Sequence, residues 1–113
     1  MNDNQTTIAE IKETIMDFAR QRGWGKSHNA LNLAVSINLE ASELLEIFQW
    51  CSQSEADKAA RETDREHFLE ELADVMIYCI ELAYTYDVDI ASAIEDKMEK
   101  NGKKYPAPQG NIS

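Results

Sequence analysis

The chain has 113 residues, enough for one domain whose own core would be modest, so a partner subunit would add buried surface. Its formal charge of −10 excludes a general nucleic-acid or anionic-membrane surface, because attraction to a phosphate backbone needs the opposite sign. A nucleotide held through divalent cations is still compatible with that charge. Only four glycines and two prolines occur, the prolines at Pro106 and Pro108, so nothing breaks a helix before the C-terminal end and the chain reads as all-α.

No apolar run approaches the roughly 20 residues of a membrane span. Met1-Asn2-Asp3-Asn4-Gln5 has neither the basic start nor the apolar core of a signal peptide, so the expectation is a cytoplasmic protein with no membrane partner. Cys51 and Cys79 form no CxxC and sit among apolar helical residues, which predicts reduced packing thiols.

The first predicted helix covers about residues 7 to 22. Thr7 and Glu10 have capping-box spacing, Ile8, Ile11, Ile15 and Phe18 recur at helical intervals, and Gly23 supplies a stop. Its narrow apolar stripe suits a surface helix that covers a core. The connection Gly23-Trp24-Gly25-Lys26-Ser27-His28-Asn29 sets two rings beside glycines. Trp24 and His28 either stack on a planar ligand, or seal the bundle end and cap the next helix.

That second helix is predicted over Ala30 to Cys51. Leu31, Leu33, Ala34, Val35, Ile37, Leu39, Leu44, Leu45, Ile47, Phe48 and Trp50 cover almost its whole circumference, so it should be central and enclosed, with a second subunit contributing. Residues 52 to 63 are polar and read as an exposed loop with one weak helix. Thr63 and Glu66 then repeat the capping-box spacing, opening a third helix to about Asp87. Asp89 caps a fourth over about Ile90 to Lys100, which Asn101-Gly102 should terminate. Lys97, Lys100, Lys103 and Lys104 gather four of the eleven basic residues there. They either complement the helix dipole or grip a polyphosphate. One domain over residues 1–106 and a disordered tail over 107–113 complete the prediction.

Two acidic pairs interrupt the apolar helices, Glu40 with Glu43 and Glu71 with Asp74. A spacing of three puts both members of each pair on one helix face, with Tyr78 one turn beyond the second. A carboxylate in an apolar setting costs several kcal/mol unless it is paired or coordinated. The donors are oxygens, and neither histidine follows a glutamate by three residues, so the set suits Mg²⁺ or Mn²⁺ better than zinc or a di-iron centre. Magnesium takes phosphate oxygens, which reconciles an acidic chain with an anionic nucleotide substrate.

With these motifs the chain resembles the all-α nucleoside triphosphate pyrophosphohydrolases, the MazG-like superfamily, whose signature is E-x-x-E, a spacer and E-x-x-D. The matching stretches are Glu40-Ala41-Ser42-Glu43 and Glu71-Leu72-Ala73-Asp74. They are supported by Arg22-Gly23-Trp24, His28 with Asn32, Glu43 through Trp50, and Lys97-Met98 continuing to Asn101 and Lys104-Tyr105-Pro106. The likeness runs from about Asp17 to Pro106 and is greatest to the dCTP pyrophosphatase branch. It implies a four-helix-bundle-type fold completed as a homodimer or homotetramer, and Mg²⁺-dependent hydrolysis of a (d)NTP to the monophosphate and pyrophosphate. It further implies that Glu40, Glu43, Glu71 and Asp74 bind the metal, that Lys97, Asn101, Lys104 and Tyr105 contact phosphates or sugar, and that His28 and Trp50, assisted by Asn32, form the base pocket. Two departures stand out. Residues 52 to 63 contain no aromatic where the related dCTP enzymes place another tryptophan, and Gly102-Lys103 replace a more arginine-rich stretch. The competing reading is a non-catalytic acidic interaction module whose four acids form a solvated face.

Overall fold

A computed structural model describes residues 1–108, which form helices and turns with no strand among them. The expected disordered tail, 107–113, falls for its greater part outside the described residues.

Helix α1 spans Ile8–Gln21. The Thr7 hydroxyl accepts from the Glu10 amide at 3.1 Å, as the Thr7/Glu10 spacing predicts. Gly23 follows the helix with φ at 66°, and no atom lies within 4 Å of where its Cβ would be, so the left-handed backbone and not lack of space is what favours glycine. A 3₁₀ turn, Trp24–Ser27, then leads into α2, Ala30–Glu46. The cap of α2 is Asn29, whose Oδ1 accepts from the Asn32 amide at 2.9 Å; His28 does not cap the helix.

Helix α2 stops short of the expected Cys51. The Ile47 and Phe48 amides bond three residues back, to Leu44 O at 3.3 Å and Leu45 O at 2.9 Å, which tightens the last turn and ends the helix. The expected loop after it is largely helical. Ser52 and Glu55 form a reciprocal capping box for α3, Gln53–Lys58, and a π-turn over Ala59–Thr63 follows. Thr63 lies inside that turn, so the predicted Thr63/Glu66 box does not form, and α4, Arg65–Thr85, starts without a side-chain cap. Asp89 caps α5, Ile90–Lys104, by accepting from the Ser92 amide at 2.9 Å. This helix runs through Asn101-Gly102, which was expected to end it. A helical glycine costs only about 1 kcal/mol, and Lys103 and Lys104 complement the dipole in the last turn.

The main packing is α2 against α4, with α1 laid on α4. Leu33 is fully buried, and Met16, Ala19 and Ala83 join it in a small core. Phe48 and Phe68 meet edge to face at 5.9 Å where α2 ends and α4 begins. At the other end the Ala30 amide donates to the Tyr86 hydroxyl at 2.7 Å, tying the start of α2 to the end of α4. Helix α5 packs against no other helix through more than isolated contacts. The prediction that α2 is enclosed holds on one flank only, since Leu31, Val35, Leu39 and Leu45 remain exposed. The radius of gyration, 17.2 Å, accordingly exceeds the about 13 Å of a compact chain of this size. Cys51 is half-buried and Cys79 exposed, so only the first is a packing thiol within this chain.

Candidate functional site

Packing α2 on α4 brings the two acidic pairs together. Carboxylate oxygens of Glu40, Glu43 and Glu71 lie within 4.8 Å of one another, and Asp74 stands one turn further along α4. Oε2 of Glu40 and Oε2 of Glu71 are buried with no hydrogen-bond partner. Such orphaned acceptors are costly unless something positive meets them. Burial first, and then the neighbouring Glu43, Asp74 and Glu71 carboxylates, push Glu40 up to about 7. Burial and Glu43 also raise Glu71, while His67, with Nε2 at 3.4 Å, pulls it back down. The donor set therefore fits a hard divalent cation: three carboxylates with converging oxygens, two of the three also carrying an unpartnered buried oxygen, and mutual repulsion that an ion would relieve.

Asp74, whose charge helps to raise both Glu40 and Glu71, also lines an adjoining cavity of ≈ 390 Å³. Asp74, Ile77, Tyr78 and Glu81 line one wall because intervals of three and four residues keep them on one face of α4. Thr14, Ile15 and Phe18 of α1 form the opposite side, and Trp24 and His28 close the end. Phe18 and Trp24 meet edge to face at 5.5 Å, and the Arg22 guanidinium lies 3.5 Å from the Phe18 ring centre. The cavity thus offers apolar walls suited to a planar ring, beside an acidic mouth. Burial, followed by the charges of Glu40, Glu81, Asp74 and Glu43, raises the Tyr78 phenol, so that hydroxyl keeps its proton.

Of the residues expected in a base pocket, His28 lines the cavity. Asn32 instead donates from Nδ2 to Ser27 O at 2.8 Å, which fixes the 3₁₀ turn carrying Trp24. Trp50 lies beyond the end of α2 and is 89 % exposed. Lys97, Lys104 and Tyr105 are exposed and Asn101 half-buried on α5, which the fold does not lay against α2 or α4. A single chain therefore brings together the acids, Trp24 and His28, and does not bring the α5 residues or Trp50 to them. Two participants were missed in the sequence. His67 touches Glu71, and its position one turn before that acid was the available signal. Glu81 is buried at 5 % exposure with Oε2 3.0 Å from His28 Nδ1. It extends the Glu71, Asp74, Tyr78 spacing by one more step.

Comparison with known proteins gives consistent results. The family described as MazG-like matches residues 35–113. The chain is 36 % identical over 103 residues to dCTP pyrophosphatase 1 of Rattus norvegicus and 35 % identical over 104 residues to that of Homo sapiens, alignments covering 90 % and 91 % of this chain. It spans 61 % of the length of each of these relatives. The crystal structure of a pyrophosphatase from Archaeoglobus fulgidus superposes with a TM-score of 0.85 at 38 % identity, covering 95 % of this chain and 99 % of that one.

Proposed function

Because the chain belongs to the MazG-like family, we propose that it is a Mg²⁺-dependent nucleoside triphosphate pyrophosphohydrolase that converts a (d)NTP, dCTP or a close analogue, to the monophosphate and pyrophosphate. The observation that carries this reading is the convergence of Glu40, Glu43 and Glu71 with two buried, unpartnered oxygens beside a ring-sized cavity. A solvated acidic face, as in the interaction-module reading, would leave those oxygens in water. The names of the aligned relatives support the same substrate class.

Glu40, Glu43 and Glu71, with Asp74 at their side, would hold Mg²⁺, or Mn²⁺ in its place. When bound, the ion supplies charge neutralisation of phosphate and activation of a water. The chain's own groups do the rest. The carboxylates would hold the ion that neutralises the triphosphate, and one not fully used as a ligand would take the proton as water attacks the α-phosphorus and the bond to the bridging oxygen breaks, releasing pyrophosphate. The base would lie in the cavity against the apolar wall that Ile15, Phe18, Trp24 and Ile77 provide, with His28 among its neighbours. Asn32 acts indirectly, by holding the turn that carries Trp24.

In this reading the domain over residues 1–106 functions as a homodimer or homotetramer in the cytoplasm. The exposed Leu31, Val35 and Leu39 of α2 support the assembly. Lys97, Asn101, Lys104 and Tyr105 would contact phosphates or sugar, and because α5 stands away from its own acids, they would do so across a subunit boundary. Trp50 would join the base pocket in the same way. Incubation with a panel of (d)NTPs and Mg²⁺ should release pyrophosphate and monophosphate in equal amounts, and Glu43→Ala should lose both turnover and metal affinity. If no nucleotide is turned over and Glu43→Ala binds metal as before, the hydrolase reading is wrong.

A further inference from the structure

The buried end of the cavity contains a carboxyl–imidazole contact, Glu81 with His28, that nothing in the acidic cluster requires. Glu81 is 5 % exposed and lines the cavity two helical turns beyond Asp74, about 10 Å along α4 by helix rise. Its Oε2 lies 3.0 Å from His28 Nδ1, but the two atoms are not aligned for a hydrogen bond, and neither has a hydrogen-bond partner. A carboxyl left without a partner in such a place is unfavourable, and the His28 ring is the polar group that stands against it. What the pair still lacks is a donor for the carboxylate. Among the residues lining the cavity only the Trp24 ring nitrogen, the Tyr78 hydroxyl and the Thr14 hydroxyl, which donates to Glu10 O, could supply one, and none of them is hydrogen-bonded to Glu81, whereas a base seated in the cavity would present its edge.

We propose that Glu81 is the specificity-determining residue of this cavity, accepting a hydrogen bond from an exocyclic amino group on the base, with His28 beside it to hold the carboxylate in place. The inference rests on the nucleotide reading above and deepens it. A carboxylate accepts from the amino group of cytosine but faces the carbonyl oxygen that uracil puts in the same place. The two pyrimidines are nearly equal in size, so the cavity walls treat them alike and the carboxylate alone separates them. Glu81 takes no part in bond making, and its removal should leave the chemistry at the acidic end intact.

The test compares dCTP with dUTP in the wild type, Glu81→Gln and Glu81→Leu, with thermal unfolding confirming that each variant is folded. The wild type should favour dCTP in kcat/KM by about tenfold or more, the usual scale of one matched base contact. Glu81→Gln, whose amide can donate to the uracil carbonyl, should narrow or reverse that preference through KM, with kcat at saturation little changed. Glu81→Leu should abolish it. A preference unchanged in both variants, or an equal response of kcat and KM, would assign Glu81 to structure alone and overturn the inference. Calorimetric binding of dCMP and dUMP to the wild type provides an arm that needs no turnover. Equal affinities overturn the specificity role whether or not any triphosphate is hydrolysed, whereas absence of hydrolysis with dCMP still favoured counts only against the hydrolase reading.

Discussion

At the scale of single residues, Glu40 is the group whose chemistry the fold alters most visibly. Its half-buried carboxylate lies beside Glu43 and near Asp74 and Glu71, and partial burial with these like charges pushes it up from 4.5 to about 7. A protonated Glu40 cannot ligate a cation, so Mg²⁺ affinity should fall as the pH is lowered through 7, with proton release on binding largest below that point. Calorimetry in buffers of different ionisation enthalpy measures both. The stability of the metal-free protein has the opposite dependence. Because the folded chain holds this proton more tightly than the unfolded chain, folding loses support as the pH rises from about 4.5 through 7. Added Mg²⁺ should restore it, and an unfolding temperature insensitive to both pH and metal would contradict the proposed site.

At the scale of elements, the turns contribute as much as the helices. Gly23 adopts φ of 66° immediately before the turn that carries Trp24 and His28. Gly23→Ala should cost about 1 kcal/mol through backbone conformation, lowering the unfolding temperature by about 4 °C. It should also raise KM, because the cavity's closing wall begins there. Ser52→Ala removes the capping box of α3, a helix that contributes no buried residue. Its effect should be confined to faster amide exchange over residues 53–58, with little change in the unfolding midpoint. The helices themselves were legible in the sequence because apolar periodicity and caps such as Thr7 and Asp89 are local signals. The ends of α2 and α5 were not, since 3₁₀ tightening at Ile47 and tolerance of Gly102 depend on small energy differences that composition does not encode. The acidic cluster was legible for the same reason as the helices, each pair being three residues apart. The pairing of Glu81 with His28 was not, because those residues are 53 positions apart in the chain and meet only when α1, α2 and α4 have packed.

At the scale of the whole molecule, the chain is more extended than its length requires and leaves much of its apolar surface uncovered. Leu31, Val35 and Leu39 recur every four residues along α2, making a stripe suited to a second helix pair, and Ile94 and Met98 continue an exposed apolar line on α5. Leu39→Lys should therefore shift the protein toward monomer in analytical ultracentrifugation, whereas Leu33→Ala, inside the core, should destabilise every form by about 2–5 kcal/mol without changing which form predominates. If Leu39→Lys sediments as the wild type does, the proposed assembly uses another face. The small core of the single chain has a further consequence, in kinetics and dosage. If most of the hydrophobic burial is completed between chains, folding is a second-order event: its rate and its midpoint both climb with protein concentration. A newly made chain would then wait, partly ordered and with apolar stripes open, for a partner to arrive. Its abundance would set the fraction that survives proteolysis, so that halving synthesis would remove more than half of the folded protein.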